Sequence, residues 1–260
     1  MTMRFVSLRT AFCGLSLVAA PAALAWGSTH SIPLFESQLA AARTSGSTGG
    51  TTVVRSEIKT VLNAFLGADD GQTDAAEHAY LAGRLADPAF LAGIDTSARD
   101  YLFRYHELND ATTVPFTTDV ATPAQSPAQI LGASGPLVNN AWIQAGGVIE
   151  RAGVVNQTTL QWAYYGAFGP SPRTFSVVTF DELATQLSSP VFGQVPSAAE
   201  VNGALDYLSG NAGDGARYYV TTWVDTYGRT GPGDIGGYVV ASVNEDRDSV
   251  RFIEVMTWSQ

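Results

Sequence analysis

One stretch decides the fold of this chain: residues 216–258, which read ARYYVTTWVDTYGRTGPGDIGGYVVASVNEDRDSVRFIEVMTW. β-Branched and aromatic residues recur in it with the alternation that is typical of strands. The pattern predicts three strands, at Ala216–Tyr227, Gly237–Asn244 and Ser249–Trp258. A glycine-rich loop, Gly228–Gly236, forms the first connection, and a charged turn, Glu245–Asp248, forms the second. Connections of this length join antiparallel neighbours, so we expect a three-stranded antiparallel meander.

The chain from residue 140 onward has a similar composition, interrupted by two helices. Three further strands are predicted, at Ala141–Ile149, Thr158–Phe168 and Arg173–Phe180. Two capping-box spacings predict short helices, Thr179 with Glu182 and Ser197 with Glu200. Residues 140–260 are therefore expected to form an antiparallel sheet domain that carries two short helices.

Residues 54–110 are predicted to form a small helical unit. Apolar residues recur there at helical spacing in three segments, Val54–Leu66, Asp74–Ala86 and Ser97–Leu108. The preceding residues, 26–53, contain a short predicted helix, Ile32–Arg43, and a flexible linker rich in glycine, serine and threonine. Residues 111–139 are rich in proline, serine and threonine, a composition that blocks long regular elements. We take them as the connection between two halves of an α+β protein.

The first 25 residues have the features of a secretory signal peptide. Arg4 and Arg9 precede a short apolar segment, and Ala23-Leu24-Ala25 matches an A-x-A cleavage site. We therefore expect export to the periplasm or the exterior after cleavage behind Ala25. Cys13 is the only cysteine and lies in this segment, so the mature chain would fold without disulfides. No later stretch has the apolar length that membrane insertion requires.

The chain is acidic, with a net charge of −10. Residues 1–25 contain two arginines and no acidic residue, so the mature chain would carry −12. A protein that binds nucleic acid through its phosphates needs a basic face, and so does one that binds an anionic membrane surface. The composition argues against both partner classes.

An acidic loop opens the second predicted helix. It reads DGQTDAAE from Asp70 to Glu77 and resembles the second half of an EF-hand calcium loop. The resemblance implies that Asp70, Asp74 and Glu77 supply calcium ligands. The first two ligand positions of such a loop fall on Leu66 and Ala68, which carry no side-chain oxygen, so the implied affinity is weak. Alternatively, Asp74 and Glu77 accept hydrogen bonds from backbone N–H groups as a capped helix start.

Two histidines lie in the helical unit, each beside a glutamate. His78 follows Glu77, and His106 precedes Glu107. If the second and third helices of the unit pack antiparallel, the imidazoles approach each other, and two imidazoles with a carboxylate suit zinc. No HxxxH or HExxH spacing is present, and a lone histidine is more often a surface or hydrogen-bonded residue. Zinc is therefore an alternative to calcium, carried by His78 and His106.

Carboxylates are the remaining catalytic candidates, because the mature chain has no thiol and no GxSxG elbow. Asp225, Asp234 and Glu254 lie in or beside the meander. Asp225 shares a strand face with Trp223, and an acid beside aromatic rings is typical of sugar-binding and glycosidase clefts. The alternative is that the aromatic rings pack in the core and Asp225 lies at a solvated strand end.

Two functional classes follow. The first is an exported, non-catalytic binding protein for a protein or carbohydrate ligand, with weak calcium affinity at Asp70–Glu77. The second is a secreted hydrolase that uses carboxylates, or a metal held by aspartate, glutamate and histidine.

Overall fold

The computed structural model describes residues 24–68, 71–110, 118–121, 126–132, 134–149, 153, 155–169, 174–210, 213, 215–226 and 233–260. Most of the predicted signal peptide, Asp70, Tyr227 and residues 228–232 of the glycine-rich loop lie outside these ranges. Among the helices in the described ranges, none combines the length and apolarity that crossing a bilayer demands.

A six-stranded sheet with the order β1-β2-β6-β5-β4-β3 lies at the centre of the protein, and every neighbouring pair is antiparallel. The strands are β1 Thr118–Ala121, β2 Ala141–Ile149, β3 Ser176–Val178, β4 Arg217–Asp225, β5 Ile235–Val243 and β6 Ser249–Ser259. Strands β4, β5 and β6 are consecutive neighbours, which confirms the predicted meander and the α+β class.

Helices precede, interrupt and cover this sheet. They are α1 Leu24–Ala42, α2 Arg55–Gly67, α3 Ala75–Leu85, α4 Pro88–Ala92, α5 Thr96–Leu108, α6 Pro127–Leu131, α7 Pro136–Asn140, α8 Gln157–Phe168, α9 Phe180–Leu187 and α10 Ala198–Ser209. Proline occupies the first turn of α4, α6 and α7, where its missing N–H costs nothing.

Both faces of the sheet are buried, so the fold has three layers. One face presents Tyr219 and Phe252 to a core shared with α1–α5 and α8. The opposite face presents Val240 and Ile253 to a second core, shared with α6, α7, α9 and α10. Burial on both faces explains why β5 is an almost continuous apolar run from Tyr238 to Val243 rather than an alternating one.

The apolar faces of the helices in the helical unit are buried against one another, as their sequence pattern predicts. Ile58, Leu62 and Phe65 of α2 are buried, and the Phe65 ring stacks on Phe35 of α1 with 4.9 Å between ring centroids. The third predicted helix is present as α5 and begins at Thr96, one residue earlier than predicted, because the Asp95 carboxylate caps it by accepting from the N–H of Ala98 at 2.8 Å.

A glutamate ties the helical unit to the sheet half. Glu182 of α9 accepts from Arg55 Nη2 at 2.9 Å and from Lys59 Nζ at 2.8 Å, and it also closes the capping box at Thr179. Burial would raise the pKa of Glu182, but the hydrogen bonds from Arg55, Lys59 and the Thr179 N–H outweigh it and hold the pKa at about 2.

A second glutamate joins the N-terminal ends of two helices, α7 and α10. Glu200 is fully buried and caps α10, while its carboxylate also accepts from the N–H groups of Leu137 and Val138 at 3.0 and 3.1 Å. It thus lies at the N-terminus of α7, where the helix dipole favours an anion.

The prediction of a strand at Thr158–Phe168 is wrong, because this segment is helix α8. Its threonine and aromatic content favours strands, but Leu160, Ala163 and Tyr164 recur at helical spacing and are buried. The N-terminus is capped by Asn156, whose side-chain oxygen accepts from the Thr159 N–H at 2.9 Å. Tertiary packing of one helix face on the sheet overrides the local propensity.

The strand predicted at Arg173–Phe180 is shorter in the structure. Only Ser176–Val178 pairs, against β4, because Thr179 already caps α9 and Phe180 is its first residue. Helices α9 and α10 begin behind the two predicted capping boxes. The short helices α4, α6 and α7 have no counterpart in the sequence-based prediction.

Candidate functional site

Helix α8 has one face toward the core and one toward solvent. Leu160, Ala163 and Tyr164 pack on the sheet, with the Tyr164 ring against Phe175 and Phe252. The solvent side is formed by Thr158, Gln161, Trp162 and Tyr165, whose spacing of three, four and seven residues places them on one helix face. We call these four residues the outer face of α8.

The outer face of α8 adjoins a cleft of about 520 Å³, hereafter the α8 cleft. Its other walls are the loop before α3 and the C-terminal end of α5. The polar side chains that line it are neutral amides and hydroxyls with a single carboxylate, Asp110; the neutral ones are Gln72, Thr73, Asn109, Gln157, Thr158, Gln161 and Thr174. Its volume lies in the range of small-molecule sites.

Hydrogen bonds fix the walls of the α8 cleft. Gln157 binds both backbone groups of Phe175, with distances of 2.7 Å to the carbonyl oxygen and 2.9 Å from the N–H. Thr73 shares a hydrogen bond of 2.7 Å with the Tyr105 hydroxyl, and Asn109 donates to the Tyr105 carbonyl oxygen at 2.9 Å. Burial raises the pKa of Tyr105, so its hydroxyl stays protonated and keeps this bond. The cleft is therefore preorganised.

Two exposed aromatic rings lie on the same face of α8 as Thr158 and Gln161, which line the α8 cleft. Trp162 is 59% exposed and Tyr165 is 49% exposed, and their rings meet edge to face with 5.9 Å between centroids. Aromatic rings of this size are normally buried, so an exposed pair beside a polar cleft indicates a contact surface.

The calcium candidates Asp74 and Glu77 form a capping box at the start of α3. One carboxylate oxygen of Asp74 accepts from the N–H groups of Ala76 and Glu77 at 2.7 and 2.9 Å, and Glu77 accepts from the Asp74 N–H at 2.9 Å. Asp70, the third candidate, lies outside the described residues. Within those residues, no group of three or more histidine, cysteine, aspartate or glutamate side chains is arranged to hold a metal.

The zinc candidates His78 and His106 do lie together. Their rings are parallel within 14°, with 3.8 Å between centroids, and His78 Nε2 donates to the His106 carbonyl oxygen at 3.0 Å. Stacked rings direct their lone pairs in parallel, whereas two ligands of one zinc ion must converge on it. Burial lowers the pKa of His106, and the neighbouring His78 lowers it further. The arrangement favours the neutral form of the His106 imidazole.

Two of the three carboxylate candidates, Asp225 and Asp234, lie together at one end of the sheet, and Glu254 lies apart from them. Asp225 is exposed at the end of β4 and accepts from the Thr226 N–H, while the Asp234 N–H donates to the Asp225 carbonyl oxygen at 3.1 Å. Glu254 lies in the middle of β6. The β6 residue that is level with Asp225 across the sheet is Ser259, five residues further along the strand. Trp223, the aromatic neighbour expected beside Asp225, is buried in the core.

Glu254 has a different aromatic neighbourhood. The Tyr164 hydroxyl donates to it at 2.6 Å, and Trp142 is its cross-strand partner on β2 and is 48% exposed. Among the three catalytic candidates, Glu254 is thus the one for which the structure describes a hydrogen bond donated by an aromatic side chain.

The sequence-based prediction did not identify the outer face of α8. Alternation in a strand would put Trp162 and Tyr165 on opposite faces, so the strand prediction separated two residues that the helix brings together. The signals that identify the helix are Asn156 as N-cap and the buried Leu160, Ala163 and Tyr164 at helical spacing.

Comparison with protein families, with curated proteins and with solved structures finds no match to this chain.

Proposed function

We propose that the protein is an exported, non-catalytic binding protein that takes a neutral carbohydrate into the α8 cleft. The juxtaposition that carries the proposal is a cleft of neutral amides and hydroxyls beside the exposed Trp162–Tyr165 pair. A sugar ring has hydroxyl groups at its edge and a face of C–H groups, and the α8 cleft offers a partner for each.

The polar half of the recognition would come from side chains that both donate and accept. Each amide or hydroxyl can satisfy a sugar hydroxyl in either role, which a charged group cannot. Besides Gln157, three amide side chains line the α8 cleft: Gln72, Asn109 and Gln161. A low charge in the lining also avoids the cost of desolvating an ion when a neutral ligand enters.

The apolar half would come from Trp162 and Tyr165. Their faces can cover the C–H side of a sugar ring, and aromatic rings lose little conformational entropy on binding. Calcium has no part in the proposal, because Asp74 and Glu77 are already bonded to the backbone and Asp70 lies outside the described residues.

The test is isothermal titration calorimetry of the purified protein against a panel of neutral oligosaccharides. A ligand found there should lose about 2- to 12-fold in affinity when Trp162→Ala removes the stacking surface, since aromatic contacts are worth about 0.5–1.5 kcal/mol beyond their buried area. Trp142→Ala is the matched control, because Trp142 is a similarly exposed tryptophan on another element. Equal affinity in the wild type and Trp162→Ala would refute the proposal.

A hydrolase remains the second candidate, and the Tyr164–Glu254 hydrogen bond favours it. In a hydrolase, Glu254 would act as general acid or base, with Trp142 beside it. The protein would then shorten oligosaccharides on incubation, Glu254→Gln would abolish this, and Trp142→Ala rather than Trp162→Ala would weaken binding.

A further inference from the structure

A second cleft lies on the other side of the C-terminal end of α5, and it is lined by arginines. Its volume is about 590 Å³, and its walls include Arg104 from α5, Arg217 from β4 and Arg247 from the turn between β5 and β6. We call it the arginine cleft. The chain contains only 14 basic residues against 24 acidic ones, so three guanidinium groups around one cleft are a local exception.

The protein holds two of the three guanidinium groups, those of Arg104 and Arg217, in place by their inner N–H groups. Arg104 donates from Nε to Asp100 at 2.8 Å and from Nη1 to the carbonyl oxygen of Ala216 at 2.7 Å. Arg217 donates from Nε to Glu107 at 2.7 Å and from Nη1 to the carbonyl oxygen of Gly215 at 2.9 Å. Side chains fixed in this way lose little further entropy when they bind a ligand.

Glu107 is shared between two arginines. Its second carboxylate oxygen lies 2.8 Å from Arg247 Nε. Within the described part of the chain, the Nη2 groups of Arg104, Arg217 and Arg247 make no hydrogen bond. The inner N–H groups of Arg104 and Arg217 are thus used by the fold, Arg247 is held by its ion pair with Glu107, and outer N–H donors remain.

The backbone at Arg247 adds an independent observation. Its φ is +60°, in the left-handed region that suits glycine or asparagine, and Asn244 holds the turn by accepting from the N–H groups of Asp248 and Ser249. An arginine at such a position costs conformational energy. In this backbone conformation, the Arg247 guanidinium lies beside Arg217 and Glu107.

We propose that the arginine cleft is a binding site for a small ligand with one oxyanion group, a carboxylate or a phosphate ester. Guanidinium N–H groups bind both groups with charge-assisted hydrogen bonds. Phe103, which is 49% exposed in the same cleft, can cover an apolar part of the ligand. Asp100, Glu107 and Glu245 balance the three arginines, so a single anionic group fits better than a polyanion such as nucleic acid.

Calorimetry with benzoate and with phenyl phosphate, at constant ionic strength, tests the proposal. Saturable binding of either probe supports it, and the probe that binds more tightly identifies the oxyanion as carboxylate or phosphate. Arg247→Gly should weaken the binding at least about tenfold, the loss expected for one hydrogen bond to a charged group. Since glycine relieves the positive φ, the melting temperature of this variant should be unchanged or higher.

Two further variants make the test independent of folding. Arg104→Gln removes a guanidinium from the opposite wall and should also weaken binding. Arg84→Gln removes the same charge from the Arg84–Glu36 pair in the helical unit and should bind as the wild type does. Binding of neither probe, or wild-type affinity in both Arg247→Gly and Arg104→Gln, would overturn the proposal. Trp162→Ala should leave this binding unchanged, which separates it from the carbohydrate site.

Discussion

The α8 cleft and the arginine cleft lie on either side of the C-terminal end of α5, yet they are built differently. Beside the α8 cleft, the exposed rings of Trp162 and Tyr165 contact each other and lie on the solvent side of their helix. In the arginine cleft, Glu107 and the arginines also join α5 to the sheet. The α8 cleft can therefore lose an aromatic contact without losing stability, whereas the arginine cleft cannot lose Glu107, the carboxylate that joins its walls, without losing stability.

Glu107→Gln should have the largest effect on stability. It leaves Arg217 and Arg247 facing each other without the carboxylate between them, and Glu107 and Arg217 are 22% and 13% exposed. We expect a loss of about 2–3 kcal/mol in the free energy of unfolding, somewhat below the cost of breaking a fully buried pair. Urea unfolding followed by circular dichroism measures it.

The control for Glu107→Gln is Glu245→Gln. Glu245 lines the same cleft and is exposed, and among the described residues it makes no ion pair. Its removal should change the free energy of unfolding by less than about 0.5 kcal/mol. If both variants lost the same amount, net charge rather than the Glu107 bridge would be responsible.

Asn156→Ala should have the next largest effect and acts on the α8 side of the comparison. Asn156 is buried and accepts from the N–H and the hydroxyl of Thr159. Loss of this cap should cost about 1–2 kcal/mol by urea unfolding. Asn156→Asp keeps an acceptor and should recover most of it; a neutral Asn156→Ala would contradict the role of the cap.

The sequence predicts the meander well because its strands pair with their chain neighbours, so local alternation is enough. The capping boxes at Thr179 and Ser197 were equally readable, since a cap depends on residues three apart. Helix α8 was missed because what decides it is the sheet surface under Leu160 and Tyr164. The arginine cleft joins residues more than 100 positions apart, such as Arg104 and Arg217, and no local pattern relates them.

Acid should destabilise the protein slightly through His106, which lies beside the arginine cleft and near Asp110 of the α8 cleft. Burial and His78 lower the pKa of His106, while Asp110 and Glu107 act in the opposite direction. The unfolded chain takes up this proton below about pH 6.5 and the folded chain only at lower pH, so stability falls as the pH drops through this window.

The size of this effect is limited because His106 is only partly buried. We expect less than about 0.5 kcal/mol between pH 6.5 and 5.5, measured as the difference between the wild type and His106→Gln. His30→Gln, at an exposed position, should behave as the wild type does. A wild type that gained stability relative to His106→Gln on acidification would contradict the lowered pKa.

Trp162→Ala should have the smallest effect on stability, and it is the variant that tests the comparison most directly. Trp162 is 59% exposed and touches Tyr165 rather than the core, so its removal should change the free energy of unfolding by less than about 0.5 kcal/mol. The same variant is expected to lose carbohydrate affinity. A ring that contributes to binding but not to folding is retained for its ligand, whereas a large loss of stability would make Trp162 a structural residue and remove the contrast between the two clefts.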